Sequence, residues 1–280
     1  MHKTTTNNDL IESKKPLLMG ILNITPDSFT DGGQYFKLED AINHAQKLID
    51  AGVDILDIGG ESTRPGATFV SEEEEIKRVI PVIKKINKLK QQSVYRIPYT
   101  VSRTSFQAFL ISIDTYKFRV AKKALEAGAD IINDVSGLTK DPDMIKIASE
   151  ANCKVIIMHN KGIPATKPEV RSKEAHTSVI EEVYNWLEKQ TNFAIENGIK
   201  RENIIIDPGI GFGKTPEEDL FLIENLQELK SLGFSILIGS SKKSFIKKLF
   251  GDCDIEKKNQ ELTQLAINNG ADILRIHQIA

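Results

Sequence analysis

The sequence predicts an α/β fold, a single (β/α)8 TIM barrel, and three observations carry that prediction. Eight short β-branched runs alternate with segments of helical period, one unit repeats internally, and 280 residues suit one such barrel. Alternating strands and helices demand a parallel sheet, since a parallel crossover needs a helix-length connection. The repeat reads AGVDILDI, AGADIIND and NGADILRI, with Gly-x-Asp at Gly52, Gly128 and Gly270. Those glycines lie 76 and 142 residues apart, close to two and four units of about 35 to 38 residues. An open doubly wound sheet would carry GxGxxG after its first strand, and that fingerprint is absent.

Taken in order, residues 1–15 are expected to be a flexible N-terminal arm and the barrel to run over 16–280, opening with the strand LLMGILN (17–23). NITPDSFTDGG (23–33) holds too many Gly, Pro and hydroxyl residues for helix or strand, so it reads as a mobile active-site loop before the amphipathic AINHAQKLIDAG. DILDIG (54–59) is the second strand, and DIGGESTRPG (57–66) is a second loop of the same kind. Ser71 with Glu74 three residues on has capping-box spacing, so the acidic run Glu72 to Glu75 starts a helix and complements its dipole. Residues 90–109 exceed a usual helix-to-strand turn and read as an insertion before the third strand. Such turns lie at the N-terminal face of a barrel, opposite the chemistry, so the insertion is expected to be catalytically neutral. The remaining strands are LISID (110–114), DIIND (130–134), KVIIMH (154–159), NIIID (203–207), SILIG (235–239) and DILRIH (272–277). Between them FRVAKKALEAG, MIKIASEA, VIEEVYNWLEKQTNFAIENG and LFLIENLQELKSLG have helical period, several closing on a Gly as a C-cap does. No eighth helix is expected after the last strand.

Composition narrows the function. No stretch approaches the roughly 18 apolar residues of a membrane helix, and the N-terminus lacks a signal-peptide core, so a cytoplasmic location is expected. Cys153 and Cys253 stand alone, with no CxxC or Cys/His cluster, so neither a disulfide framework nor a zinc site is suggested. A net charge of −2 without a basic block argues against nucleic acid and for small-molecule substrates.

In such a barrel the loops after the strands build the site. Polar residues occupy nearly every strand end: Asn23, Asp57 with Glu61 to Arg64, Asp114, Asn133 and Asp134, His159 and Asn160, Asp207, Ser240 to Ser244, and Arg275 with His277. Asp114, Asn133 and Asp207 are acceptor-rich, suited to the N–H groups of a polar heterocycle and to a positive charge developing on it. Arg64, Arg275, His277 and Lys243, with the Thr63 and Ser244 hydroxyls, suit phosphate and carboxylate oxygens. A diphosphate leaving group would call for Mg²⁺, which keeps most of its waters and needs one or two protein oxygens, such as Asn23. GIGFGKT (209–215) is no P-loop, because the pattern requires Gly where Pro208 stands. Asp57 and Asp134 alone read as structural, each accepting backbone N–H groups of its loop. His159 reads as a hydrogen-bonded structural histidine, and Tyr184 and Trp186 as core or interface.

NITPDSFTDGG, DIGGESTRPGA, SIDTYK (112–117), INDVSG (132–137), DPGIGFGK (207–214), GSSKKSF (239–245) and RIH (275–277) resemble the signature segments of the dihydropteroate synthases, in the same order. The resemblance spans residues 16 to 278 apart from the insertion. It implies condensation of 6-hydroxymethyl-7,8-dihydropterin diphosphate with p-aminobenzoate in folate synthesis. Asp114, Asn133 and Asp207 would hold the pterin, with Met158, Phe212 and Lys243 completing its pocket. Asn23, through Mg²⁺, with Thr63, Arg64, Arg275 and His277, would meet the diphosphate, and Phe29, Pro65, Lys243 and Ser244 the p-aminobenzoate. Asp114, Asp207 and Lys243 would be the catalytic residues of an SN1-like displacement. The family usually dimerises, which implies a homodimer. Lys242 stands where the family commonly has Arg, and Gln278 where it has an acid. Two other readings are a methyltetrahydrofolate-type methyltransferase and a catalytically weak pterin-binding paralogue.

Overall fold

The structure, a computed structural model, describes residues 15–24, 34–63, 66–94, 109–163, 178–239 and 243–277. Eight parallel strands close in chain order into a barrel, β1 pairing with both β2 and β8. They are β1 (Leu17–Asn23), β2 (Ile55–Gly59), β3 (Leu110–Asp114), β4 (Ile131–Asp134), β5 (Lys154–Met158), β6 (Ile204–Asp207), β7 (Ser235–Ile238) and β8 (Ile273–Ile276). Around them run α1 (Gln34–Asp50), α2 (Glu72–Val94), α3 (Phe118–Ala127), α4 (Met144–Ala151), α5 (Val179–Glu196), α6 (Pro216–Glu224), α7 (Leu226–Lys230), α8 (Lys243–Phe250) and α9 (Ile255–Asn268).

The strands form because Ile, Leu and Val fit a pleated surface buried on both faces. Their two faces have different fates. Leu17, Met19, Ile55, Leu110, Ile131, Ile156, Ile205, Leu237 and Ile273 plug the barrel interior as one cluster, every strand contributing. The alternate residues, Ile58, Ile113, Ile132, Ile157, Ile206, Ile238 and Leu274, join the shell between barrel and helices. Each such fully buried side chain is worth about 1.5–3 kcal/mol before conformational entropy is counted. Because strand side chains alternate with period two, each plug residue marks which residues further along also face inward. The C-cap reading holds at Gly128, whose φ of 109° follows α3 directly.

Three predicted details change. Helix α2 continues to Val94, so the long connection begins later than residue 90; Lys90 near its end pairs with Asp130 at 2.7 Å, tying that turn to the chain entering β4. Residues 95–108 lie outside the described residues, while Phe109 is buried in the barrel–helix shell. LFLIENLQELKSLG is two helices: the Asn225 side chain donates to the Phe221 carbonyl at 2.8 Å, capping α6 before α7 begins. Ser71 Oγ accepts the Glu74 N–H at 3.2 Å, but the Glu74 carboxylate turns to Arg78, so only half of the capping box forms.

Candidate active site

Towards the C-terminal ends of the strands the inward positions change from Leu and Ile to Asn, Asp and Arg. Counting by twos from the plug puts Asn23, Asp57, Asp114, Asn133, Met158, Asp207 and Arg275 on the inner face. Register makes them neighbours: Asn23 lies opposite Gly59, Gly59 opposite Asp114, Asp114 opposite Asn133, and Met158 opposite Asp207. A Cβ on Gly59 would stand 3.7 Å from both Asn23 Oδ1 and Asp114 Oδ2. The missing side chain therefore leaves two hard oxygens facing a common space.

The sequence-based reading of Asp57 as a loop anchor is corrected. Asp57 is fully buried, and its carboxylate accepts from Arg275 Nε at 2.7 Å and Asn133 Nδ2 at 3.2 Å. It faces inward because it lies two residues beyond Ile55, which brings its carboxylate to side chains of β4 and β8. Arg275 Nη2 also lies 2.7 Å from Asp114 Oδ2, so one guanidinium serves two carboxylates. Burial pushes Asp114 up to about 7, with Arg275 opposing and Asp57 adding to the rise. Burial would depress Arg275, but Asp57 and Asp114 hold it firmly cationic.

Asp207 anchors a rigid turn. Its Oδ1 accepts the Gly209 N–H at 2.7 Å, and Gly209 has a φ of 71° that a Cβ could not share, since it would lie 1.8 Å from the His159 carbonyl oxygen. Lys214, the residue that invited a P-loop reading, is buried and donates to the Gly209 carbonyl at 2.9 Å. Burial pulls its ammonium down to about 8, against the attraction of Asp219 and Asp207. Asp219 accepts the Gly211 N–H at 2.8 Å, and Thr215 with Glu218 forms a full capping box on α6. Half-buried Phe212 rides on this turn, its N–H donating to Gly209.

Not every polar strand end converges. Asp134 faces outward and accepts the N–H groups of Ser136 at 2.7 Å and Leu138 at 3.1 Å, the structural role expected of it. Burial raises its carboxyl to about 6. His159 also points away from the barrel, its ring edge-on to Trp186 at 5.2 Å. It is structural, but not through hydrogen bonding at Nδ1, which is buried without a partner among the described residues. Burial drives it down to about 2, so it stays neutral.

Of the other predicted site residues, Thr63 is described and half-buried, and His277 is half-buried one residue past β8. Lys243 and Ser244 open α8. Phe29, Arg64 and Pro65 lie outside the described residues. Sequence reasoning put Glu61 among the polar strand ends and Glu75 in a helix start but passed over the buried cation Lys117 that pairs with both and joins the second loop's base to the β3–α3 junction. The available signal was SIDTYK itself: a lysine three residues beyond an inward carboxylate, in a chain with an acidic run at the neighbouring helix start.

The sequence profile of the pterin binding enzyme family matches residues 19–277. A dihydropteroate synthase of Clostridium beijerinckii is 41% identical over 270 residues, covering 95% of this chain and 90% of that protein. One of Bacillus subtilis is 40% identical over 278 residues, 98% of this chain and 88% of its own length. A crystal structure of the Clostridium difficile dihydropteroate synthase in the presence of pteroic acid superposes with a TM-score of 0.79 at 40% identity, over 95% of this chain and 92% of that one. The Xanthomonas albilineans dihydropteroate synthase with 4-aminobenzoic acid gives 0.80 at 37% identity, over 95% and 89%. The chain belongs to the pterin binding enzyme family, and the relatives it matches within that family are dihydropteroate synthases.

Proposed function

We infer that the chain is a dihydropteroate synthase, a transferase of folate biosynthesis that joins 6-hydroxymethyl-7,8-dihydropterin diphosphate to p-aminobenzoate and releases diphosphate. The observation that carries this reading is the inward polar layer: Asp114, Asn133 and Asp207 on three strands of one barrel mouth, with Arg275 among them. Relatives at about 40% identity bear that name over nearly the whole chain, and one neighbouring structure of the family holds 7,8-dihydropteroate.

In this reading Asp114, Asn133 and Asp207 accept the pterin's ring N–H groups, while Met158 and Phe212 pack on its faces. Arg275, His277, Thr63 and Arg64 take the diphosphate oxygens. Lys243 and Ser244, with Phe29 and Pro65, place p-aminobenzoate. The C–O bond to diphosphate breaks first; its electron pair leaves with the diphosphate, and the Asp114 and Asp207 carboxylates steady the cation left on the pterin methylene. The neutral aryl amine then forms the C–N bond and loses its proton to solvent, so no strong general base is required. Mg²⁺ would neutralise the leaving diphosphate. The Asn23 amide oxygen facing the side-chain-free space at Gly59 fits such an ion, which asks for one or two protein oxygens. No described helix is long and apolar enough to cross a membrane, and a homodimer acting in the cytoplasm completes the proposal.

The test is turnover of the purified chain with both substrates and Mg²⁺, with Asp207→Ala as control. Diphosphate and dihydropteroate formed in equal amounts, and lost in the variant, establish the reaction. Pterin binding without diphosphate release would replace this reading with a non-catalytic pterin binder, and methyl transfer from a reduced folate would replace it with a methyltransferase.

A further inference from the structure

Lys117 lies outside the substrate layer, at the start of α3, and is almost fully buried. All three N–H bonds of its ammonium are used: it donates to Glu61 Oε2 at 2.6 Å, to Glu75 Oε2 at 2.6 Å and to the Val70 carbonyl at 2.7 Å. Glu61 Oε1 in turn accepts the Val70 N–H at 3.0 Å. Glu61 and Val70 are the two ends of the loop 61–70, and Glu75 is in the first turn of α2. One carboxylate and one ammonium thus cross-link the loop's entry to its exit, and both to the chain three residues beyond Asp114. The Phe69 and Tyr116 rings flank the ammonium at 5.0 Å and 5.1 Å. Gly60 is fitted beneath: a Cβ there would lie 2.8 Å from Glu75 Cγ and Val79 Cγ1.

A structural ion pair needs one partner. This one spends a buried lysine on two carboxylates and a carbonyl drawn from three segments, and burying such charges is costly unless geometry holds them all. The feature they share is the loop base. We propose that Lys117 is a positioning residue of the reaction, fixing the base of the loop at Glu61 and Val70 so that Thr63 is held in register with the pterin carboxylates when the diphosphate arrives. This rests on the synthase reading for what the loop binds; the tether itself does not depend on it. Pre-ordering the loop lowers the entropy that substrate binding must supply, so its loss falls on KM for the diphosphate-bearing substrate.

The experiment compares wild type, Lys117→Arg, and the double variant Lys117→Met/Glu75→Gln, in which a cation and an anion leave together. In the double variant, KM for the pterin diphosphate rises about tenfold or more while kcat changes less than about threefold, and Lys117→Arg recovers most of the loss. Affinity for 6-hydroxymethylpterin, which lacks the diphosphate, stays within about twofold, because the ring contacts are on strands. Hydrogen exchange at the Val70 amide speeds up about tenfold while β3 keeps wild-type protection. If the double variant does not fold, Glu61→Gln gives the same comparison, with an expected KM rise of about threefold. Wild-type KM with unchanged Val70 exchange would overturn the proposal. So would loss of β3 protection and ring affinity in step with the loop, since that marks general destabilisation. A wild-type chain that turns nothing over defeats the synthase reading instead, and Val70 exchange then decides the tether alone.

Discussion

Asp57→Asn removes one of the two carboxylates that share the Arg275 guanidinium while keeping the side chain's shape. Asp57 Oδ2 and Asp114 Oδ2 each lie 2.7 Å from Arg275 Nη2. The two oxygens are therefore roughly 5 Å apart at most, and at an effective dielectric constant of about 20 their repulsion is about 3 kcal/mol, or about two pH units on Asp114. Asp114 starts from about 7. In the variant the repulsion is gone and Arg275 is left to Asp114 alone, so the Asp114 titration moves down by about one to two pH units. The assay is the binding constant of 6-hydroxymethylpterin between about pH 4.5 and 7.5, chosen because that ligand carries no titrating phosphate. If Asp114 accepts ring N–H groups as proposed, its ionised form accepts them better than the protonated acid, so in the wild type affinity rises with pH through about 7. In Asp57→Asn the same rise falls about one to two pH units lower, and in Asp114→Asn it vanishes. Stability follows with its own sign. The folded pKa of Asp114 is raised, so its contribution is full below the ordinary value of 3.8 and is lost as pH rises through about 7. Asp57→Asn shrinks that loss, although losing the charged bond to Arg275 Nε costs about 1.5–3 kcal/mol overall. A rise that stays at pH 7, or moves upward, would refute the shared-cation account.

Other substitutions probe the rest of the site. Gly209→Ala forces a Cβ to within 1.8 Å of the His159 carbonyl oxygen at a φ of 71°; urea denaturation should show a loss of about 2–4 kcal/mol, and pterin affinity should fall as Asp207 loses its turn. Asn23→Ala should leave pterin-ring affinity intact but raise the Mg²⁺ concentration for half-maximal turnover about tenfold, while an unchanged Mg²⁺ titration would remove Asn23 from the ion. Burial pushes the Cys153 thiol up to about 12, so at pH 8 its alkylation in the native protein should run at least about 100-fold slower than in the unfolded chain, as mass spectrometry of the labelled peptides would show.

Much of this architecture was legible because barrels write it in short periods. All eight strands were readable from β-branched runs, to within a residue at each end. Once Ile55, Leu110, Ile131 and Ile205 are taken as plug residues, counting by twos yields Asp57, Asp114, Asn133 and Asp207 without any structure. The same count would have removed Asp134 and His159 from the rim, since each follows an inward residue by one. Asp57 was misread because its type is common in structural turns and its partners are remote: Asn133 is 76 residues away and Arg275 is 218. Lys117 was passed over for the same reason, with Glu75 and Glu61 lying 42 and 56 residues back. Local pattern reports which face a side chain takes; it does not report which of many charges will be its counter-ion, because that is set by strand register and helix packing around the closed barrel. The residues hardest to read were therefore those that act through another charge, and they are the ones whose removal should move a pH profile or a KM rather than abolish the fold.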